Sequence, residues 1–266
     1  MQYDYEEVAA DLWQLASEQR LKIMLKLLEK NSNVTTTAKD LDSTVAELYR
    51  NFEKLMKSDL IYKDSKGSYN LTTYGRAVCD CIPSFAFLSR NKKYFNSHGF
   101  GDLPKKFIQS IGLLESGEYQ KGYVKVMQHW KEIVENANEY IYDILHEEPL
   151  ELVKPIVGKA KNGVMINSIF TSTTVIPPGR KELVNKTEIR KLIADGMIQR
   201  KMNDVKVAVI LNEKEACIIF PKDDGETDMS SMFYGTDPEF HQWCLDYFKD
   251  CWNSSQPFQE SKLQEK

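Results

Sequence analysis

The sequence predicts an α+β protein with a helical first part and a larger second part in which strands alternate with helices. Apolar residues recur at three- and four-residue spacing through residues 4–30 and again from Val45 to Leu55, which is the spacing of amphipathic helices. From about His98 onward, short runs rich in β-branched and aromatic residues alternate with helical patterns. This alternation is expected of a sheet with helices packed on it.

The composition excludes several classes of protein. The chain has 266 residues, of which 42% are hydrophobic and 28% charged, with a net charge of −4, as in a globular protein with a core. No apolar run reaches the roughly 18 to 20 residues of a membrane helix, and the acidic N-terminus lacks the features of a targeting peptide. We therefore expect a cytoplasmic protein with no membrane partner. Five cysteines and four scattered histidines form no disulfide framework or metal motif, so we predict no cofactor and no metal.

The helices of the first part are bounded by residues that favour helix ends. Ser17 is a good N-cap after a break in the first helical stretch. The segment TTAKDL predicts a short helix. Ser43 is expected to cap the next helix, whose apolar stripe is Val45, Leu48, Phe52 and Leu55. After this helix, IYK and SYNLT flank a turn that contains glycine and predict a two-stranded hairpin.

A connector joins this part to the α/β part. Thr72 is expected to open a helix that Pro83 interrupts. The α/β part is predicted to hold four helices, among them one that ends at Gly196 and a last one that begins at Pro238 with Asp237 as its cap. The predicted domains are residues 1–78, a helical connector at 79–97, the α/β domain at 98–254 and a disordered tail at 255–266.

Three helices followed by a two-stranded hairpin are the components of a winged helix-turn-helix. On the helix that starts at Thr44, the side opposite the apolar stripe suits the major groove, because Arg50 can bind guanine, Asn51 adenine and Glu47 cytosine. Lysines near the end of this helix and on the hairpin, and threonines at the start of the short helix, would contact phosphates. The complete predicted DNA-binding set is Thr36, Thr37, Thr44, Glu47, Arg50, Asn51, Lys54, Lys57, Lys63 and Lys66.

The charge of this segment differs from that of the rest of the chain. Between Arg20 and Arg76 there are eleven Lys and Arg against seven Asp and Glu, an excess of four positive charges, so the remainder carries −8. The alternative to a DNA-binding surface is a small helical bundle with a solvated charged face. Because the excess is modest, we expect weak non-specific binding.

The order of the motifs LKIMLKLLEK, TTTAKDLDSTVAELYRNFEKLMKSDLI and YNLTTYGRAV resembles archaeal winged-helix regulators of the ArsR/MarR-like kind. The later segments HGFGDLPKKFIQSIGLL, VMQHWKEIVENANEYIYDI and DPEFHQWCLDYFKDCW resemble the effector domain of archaeal methanogenesis-regulator-type transcription factors. This resemblance implies a homodimeric, DNA-binding regulator. It also implies that the second domain senses an effector on an α/β fold similar to phospholipase-D-like domains.

A phospholipase-D-like fold raises the question of catalysis by an HxKxxxxD motif. His129 and Lys131 match its first two positions, but Asn136 stands where Asp is expected. Residues two apart on a helix also point about 200° apart. We therefore predict that the chain is not an enzyme. The PPGR turn with Arg180 could bind an anion, with an ordinary basic loop as the alternative, and polar residues at the end of a predicted strand lie where a ligand crevice would be. The expected ligand-binding set is Asn167, Thr171, Ser172 and Arg180.

Residues and resemblance together predict a one-component transcription regulator that binds double-stranded DNA as a homodimer and responds to an unknown small-molecule or protein effector. The alternatives are a protein-interaction adaptor whose winged helix does not read bases, and a degenerate phosphodiesterase-like enzyme. Cys79 and Cys81 in the connector could sense redox state, although their apolar surroundings favour inert thiols.

Overall fold

The computed structural model describes residues 5–265 and contains both helices and sheet, as the α+β prediction requires. The chain divides into two units, Met1–Pro83 and Ser84–Lys266. None of the helices described is long and apolar enough to cross a bilayer.

The first unit is built from helices and one hairpin. Its elements are α1 (Tyr5–Leu15), α2 (Glu18–Glu29), α3 (Val34–Asp40), α4 (Val45–Lys57), β1 (Ile61–Lys63), β2 (Tyr69–Leu71) and the first part of α5 (Thr73–Arg90). β1 and β2 pair antiparallel, with Tyr62 opposite Asn70. The helix break at Ser17, the short third helix and the hairpin confirm the sequence predictions for these elements.

α2 and α4 supply most of the core of the first unit. Ile23 of α2 and Leu48, Phe52 and Leu55 of α4 are completely buried. The ring of Phe52 lies 4.5 Å from that of Tyr69 in an edge-on arrangement, which ties the hairpin to α4. Burying one such side chain contributes about 1.5–3 kcal/mol, so this face of α4 is fixed inward.

The start of α4 differs from the prediction. Thr44, not Ser43, is the N-cap, since its hydroxyl accepts a hydrogen bond from the N–H of Glu47 at 3.2 Å. The hydroxyl of Ser43 instead accepts a hydrogen bond from Gln19 at 2.6 Å. Val45 is therefore the first helical residue and is half exposed rather than part of the buried stripe.

α5 begins against the backbone that follows α4. The N–H of Gly75 donates to the hydroxyl of Thr72 at 2.8 Å. A Cβ atom at Gly75 would lie only 1.9 Å from the carbonyl oxygen of Leu60, so this close approach requires glycine. α5 then continues past Pro83, where the sequence predicted an interruption. Proline removes only one N–H donor from the helical ladder, and the residues on both sides keep the helical conformation.

The second unit contains a nine-stranded sheet within the described part of the chain. In sheet order, its strands are β10 (Gln256–Pro257), β6 (Ile198–Met202), β5 (Met165–Ile176), β4 (Tyr140–Glu147), β7 (Ala208–Leu211), β8 (Ala216–Ile219), β9 (Ser231–Gly235) and β3 (Glu118–Lys121), with β11 (Gln264–Glu265) paired to β5. The central strands β4, β5 and β6 are parallel, whereas β7, β8, β9 and β3 continue antiparallel.

Helices cover both faces of this sheet. One face packs against α7 (Tyr123–Asn136), α8 (Leu150–Lys161), α9 (Arg180–Lys186) and α10 (Ile189–Ala194), and the other against α6 (Lys105–Gln109) and α11 (Pro238–Ser254). Because side chains alternate along a strand, Ile141 and Leu145 of β4 join the first core and Ile144 joins the second. α11 begins as predicted, with the carboxylate of Asp237 accepting from the N–H of Glu239 at 2.9 Å.

Two predictions for the second unit were incomplete. The single helix expected before Gly196 is divided into α9 and α10, because Thr187 adopts an extended conformation at the end of α9. Strands β3, β6 and β9 were not predicted. β6 buries only its terminal residues Ile198 and Met202 and carries three polar residues between them, so it lacks an apolar run.

The prediction of a disordered tail was wrong for the described residues. Gln256 pairs with β6, the ring of Phe258 lies 4.0 Å from the guanidinium of Arg200, and the carboxylate of Glu260 binds Arg180 at 2.7 Å. The polar composition did not reveal that the ring of Phe258 contacts Arg200 on the sheet and that the carboxylate of Glu260 binds Arg180 on α9. Lys266 and residues 1–4, which the predicted domains include, lie outside the described residues.

Candidate nucleic-acid interface

The outer side of α4 carries the central residues of the predicted DNA-binding set. Arg50, Lys54 and Lys57 are exposed, and Asn51 is partly exposed. The opposite side of the helix is fully buried in the core. The helix therefore presents its polar side to solvent in the orientation that the apolar stripe predicted.

An open groove runs between α4 and the start of α2. It has a volume of about 720 Å³ and contains five of the predicted residues. The residues that line this α4 groove are Ser17, Glu18, Gln19, Lys22, Leu41, Thr44, Glu47, Arg50, Asn51 and Lys54. The fold thus brings the proposed base-reading residues and one of the proposed phosphate-contacting lysines, Lys54, into a single concave surface.

A chain of hydrogen bonds fixes two of these side chains. The amide nitrogen of Asn51 donates to the amide oxygen of Gln19, and the amide nitrogen of Gln19 donates to Ser43. The hydroxyl of Ser43 in turn donates to the carboxylate of Glu47 at 3.2 Å. Asn51 keeps its carbonyl oxygen and its second N–H for another partner, which are the groups that pair with adenine. The sequence patterns did not point to Gln19, because its role depends on a contact with a residue 32 positions away.

The charge of the α4 groove is mixed. The guanidinium Nε of Arg50 donates to the carbonyl of Ala46 at 3.4 Å, which folds the side chain along its own helix. Lys22 pairs with Glu18 at 2.6 Å, so it adds little to the positive field. Lys54 has no such ion pair among the residues described.

The hairpin lysines lie outside the α4 groove. Lys63 lies over the ring of Tyr69, with its Nζ 5.4 Å from the ring centroid. At the tip, the carboxylate of Asp64 accepts from the backbone N–H groups of Ser68 and Lys66, both at 2.9 Å. The hydrogen bond from Ser68 is the main cause of a lowered pKa for Asp64, so an anion stands beside Lys66.

Thr36 and Thr37, which were predicted to contact phosphates, have no free backbone N–H groups for such a contact. α3 starts at Val34 with Asn33 as its N-cap. The N–H of Thr36 donates to the side chain of Asn33 at 2.9 Å, and that of Thr37 to the backbone carbonyl of Asn33 at 3.0 Å. Thr37 is fully buried and its hydroxyl bonds Ser32, so only the hydroxyl of Thr36 remains at the surface.

Arg20 was counted in the positive charge between Arg20 and Arg76, but it does not lie at the surface. Its side chain is buried, and its guanidinium donates to the carbonyl oxygens of Gln14 at 2.6 Å and Trp13 at 2.9 Å. It therefore satisfies carbonyl groups at the end of α1, where an unpaired helix terminus would be costly. The positive excess at the surface of the first unit is smaller than the sequence count.

In the second unit, the expected ligand-binding residues are not brought together. Asn167 lies on the α11 side of the sheet, with Ile169, whereas Arg180 lines a cavity on the α8 side. The hydroxyl of Thr171 bonds that of Thr174 at 3.1 Å. The N–H of Ser172 donates to Asp204 at 2.6 Å.

The residues that resemble an HxKxxxxD motif are likewise separated. All three lie on α7, where the ring of His129 stacks on Tyr234 at 4.3 Å and Lys131 is exposed. The amide of Asn136 donates to Glu215 at 2.9 Å.

The two connector cysteines are in different environments. Cys79 is buried, and burial is the main cause that raises its pKa to about 11, which disfavours the reactive thiolate. Cys81 is exposed, and its thiol donates to the carbonyl of Ala77 at 3.5 Å.

No family model matches this sequence, and no curated protein matches it. Solved structures that match this chain include TrmBL2, described as an archaeal chromatin protein with a novel mode of DNA binding, at 12% identity, 94% coverage of this chain, 98% of that chain and a TM-score of 0.41. NucT from Helicobacter pylori has 11% identity over 53% of this chain and 100% of that chain, with a TM-score of 0.38. IdeR from T. acidophilum has 17% identity over 38% of this chain and 47% of that chain, with a TM-score of 0.23.

At TM-scores below 0.5, these likenesses supply no argument for the function of this chain. One of these matched structures is an archaeal DNA-binding protein. The finer resemblances, to ArsR/MarR-like regulators and to a phospholipase-D-like effector domain, remain predictions.

The prediction that the chain is not an enzyme is corrected by the same comparison. The S-adenosylmethionine-dependent methyltransferase SibL matches with 14% identity over 75% of this chain and 63% of that chain, at a TM-score of 0.27. Methyltransferases from Nostoc punctiforme and from neocarzinostatin and calicheamicin biosynthesis match between 72% and 76% of this chain. Because enzymes are among the matched structures, the categorical exclusion of an enzyme is withdrawn, and no reaction is assigned.

Proposed function

We propose that this protein is a transcription regulator that binds double-stranded DNA through α4. The observation that carries the proposal is the α4 groove, in which Arg50, Asn51 and Lys54 lie on the outer side of a helix whose inner side is anchored in the core. A helix anchored in this way can enter a major groove without losing its packing. In this proposal α2, α3, α4 and the hairpin form a winged helix-turn-helix, with the hairpin lysines beside the DNA backbone.

The proposal includes a homodimer, for which α1 is the candidate interface. α1 buries none of its own residues, and it exposes 47% of Val8, 60% of Leu12 and 74% of Trp13. A second copy of the chain would cover these apolar side chains symmetrically. Two α4 helices would then read half-sites about 34 Å apart, or a multiple of that distance. Sedimentation of the intact chain and of Trp13→Glu tests this part, with a shift to monomer expected for the variant.

The DNA-binding part is tested by selection from a random duplex library with the intact chain. We expect an inverted repeat, and we expect Arg50→Ala/Asn51→Ala to recover none. Arg76→Ala is the control, since Arg76 is exposed in the same unit but does not line the α4 groove. Recovery of no consensus by the intact chain would contradict the proposal and favour an adaptor that contacts proteins.

A further inference from the structure

Three polar side chains form a row across the central parallel strands. Asp143 of β4 lies opposite Ser168 of β5, which lies opposite Arg200 of β6. On the same face, the residues two positions before and after each of them are apolar, as Ile166 and Phe170 are on either side of Ser168. A polar row inside an apolar face is costly unless its members have partners.

This row lines a cavity of about 60 Å³ beneath α8, which also touches Trp130, Glu148 and Arg180. Such a volume has room for several water molecules or part of a small ligand. Arg200 also lines a neighbouring surface depression of about 300 Å³, together with Val184 and Ile189, which line both. Arg200 therefore stands between the interior cavity and the surface.

Two buried polar atoms of the cavity residues have no hydrogen-bond partner within residues 5–265. They are Oδ1 of Asp143 and Nε1 of Trp130, each on a side chain that is 1% exposed. Buried polar atoms are nearly always hydrogen-bonded. Burial raises the pKa of Asp143 to about 8, so its carboxyl is mainly uncharged at neutral pH and does not compensate a neighbouring cation. The cavity thus combines a mainly apolar lining with two unpaired polar atoms, which a simple packing defect would not contain.

The positive charges of the site are unequally compensated. Arg180 binds the carboxylate of Glu148 through its Nε and that of Glu260 at 2.7 Å. Arg200 shares Glu260 at the longer distance of 3.9 Å, the one carboxylate that the described chain places within ion-pair distance of it. Its guanidinium otherwise lies against the ring of Phe258. Positive charge therefore remains at Arg200, at the junction of the cavity and the surface.

We propose that this cavity binds a small carboxylate with an apolar body. The carboxylate would pair with Arg200 in place of Glu260, and the apolar body would lie among the aliphatic walls beside Ile166 and Phe170. An Arg–carboxylate pair supplies charge and geometry that neither a neutral amide nor a hydrocarbon can match. The identification of this ligand as the effector of the regulator rests on the function proposed above. The binding of a carboxylate by the cavity does not depend on that function.

The test uses hexanoate and hexanamide as probes of equal length, titrated into the intact chain without DNA by calorimetry. We expect hexanoate to bind at least about tenfold more tightly, the effect of one charge-assisted hydrogen bond. Arg200→Gln should lose this difference. Lys191→Gln should retain it, because it removes the same charge from an exposed residue outside the cavity.

A second measurement follows binding in the intact chain and needs a variant only to assign one resonance. Hexanoate should shift the indole N–H resonance of Trp130 in the intact chain, and that resonance is assigned by its loss in Trp130→Phe. Equal binding of hexanoate and hexanamide, no binding of either, or unchanged hexanoate binding by Arg200→Gln overturns the proposal. If the chain binds hexanoate but selects no DNA sequence, the result supports the carboxylate site and contradicts the proposed function as a DNA-binding regulator.

Discussion

Gln19 of α2 accepts a hydrogen bond from the amide of Asn51 on α4, and so a core helix holds a side chain proposed to read DNA. We predict that Gln19→Ala and Asn51→Ala each lower the free energy of unfolding, with a coupling energy of about 0.5–1.5 kcal/mol between them. Urea unfolding of the parent, the two single variants and the double variant measures this coupling. Strictly additive costs would show that the bond contributes nothing to stability.

The N-cap of α4 gives a second prediction. Thr44→Ala should lower the free energy of unfolding by about 1 kcal/mol, because the N–H of Glu47 loses its acceptor. Thr44→Ser keeps a hydroxyl at this position and should cost much less. Thermal unfolding followed by circular dichroism compares the two variants. An equal loss for both would mean that the methyl group of Thr44, not its hydroxyl, matters.

Two helical glycines should respond in opposite directions to alanine. Gly75→Ala should destabilise the protein by about 1–3 kcal/mol, because the new Cβ meets the carbonyl of Leu60. Gly158→Ala should stabilise it by about 0.5–1 kcal/mol, since nothing lies within 4 Å of that Cβ and alanine favours the helix. Chemical denaturation of both variants tests the pair, and a stable Gly75→Ala chain would contradict the close approach.

The buried carboxylate of Asp228 predicts a dependence of stability on pH. Burial alone would raise its pKa, but hydrogen bonds from Ser230, Ser231 and His98 outweigh burial and lower it. The folded state therefore holds the proton less tightly than the unfolded state. The resulting stability is present above the unfolded pKa of about 3.9 and is lost as the pH falls below it.

Asp228→Asn should accordingly be less stable at pH 7 and should lose less stability than the parent between pH 5 and pH 3. Denaturation at a series of pH values measures both effects. Asp223→Asn is the matched control, since it makes the same substitution at an exposed position and should leave the profile unchanged. A parallel pH profile for Asp228→Asn would contradict the assignment.

Salt dependence tests the proposed phosphate contact of Lys54. If this lysine neutralises one phosphate, Lys54→Gln should reduce the slope of log affinity against log salt by about 0.9. The affinity for all sequences should fall together, because phosphate contacts carry no base information. Fluorescence anisotropy over a series of salt concentrations measures the slope, with Lys191→Gln of the second unit as control. An unchanged slope would show that Lys54 does not contact a phosphate.

Local periodicity predicted α4 well, because the buried face of the helix consists of apolar residues that recur three and four positions apart. The bond between Gln19 and Asn51 could not be predicted, since no periodicity relates residues on different helices. Arg20 and Thr37 show a related limit: a guanidinium or a hydroxyl suits the surface, but it also suits the interior when backbone carbonyls or another hydroxyl can pair with it.

The polar row of the second unit could not be predicted from the sequence for another reason. Asp143, Ser168 and Arg200 come from three separate segments, and only the register of the parallel strands makes them neighbours. The third of them lies on β6, a strand without the apolar run by which strands are recognised. A site built across a sheet can be predicted from sequence only when every strand that contributes to it can also be predicted.

α1 has a consequence for the dynamics of the chain. α1 has no fully buried side chain, and among its contacts are the bonds from Arg20 to its last carbonyls, one from Tyr74 to Asp11, and the packing of the partly buried Leu15 against the core of the first unit. Its opening therefore costs far less free energy than unfolding of the core, and its amide hydrogens should exchange with solvent sooner than those of α2. Covering by a second copy would slow that exchange, so the lifetime of α1 would itself report how the chain assembles.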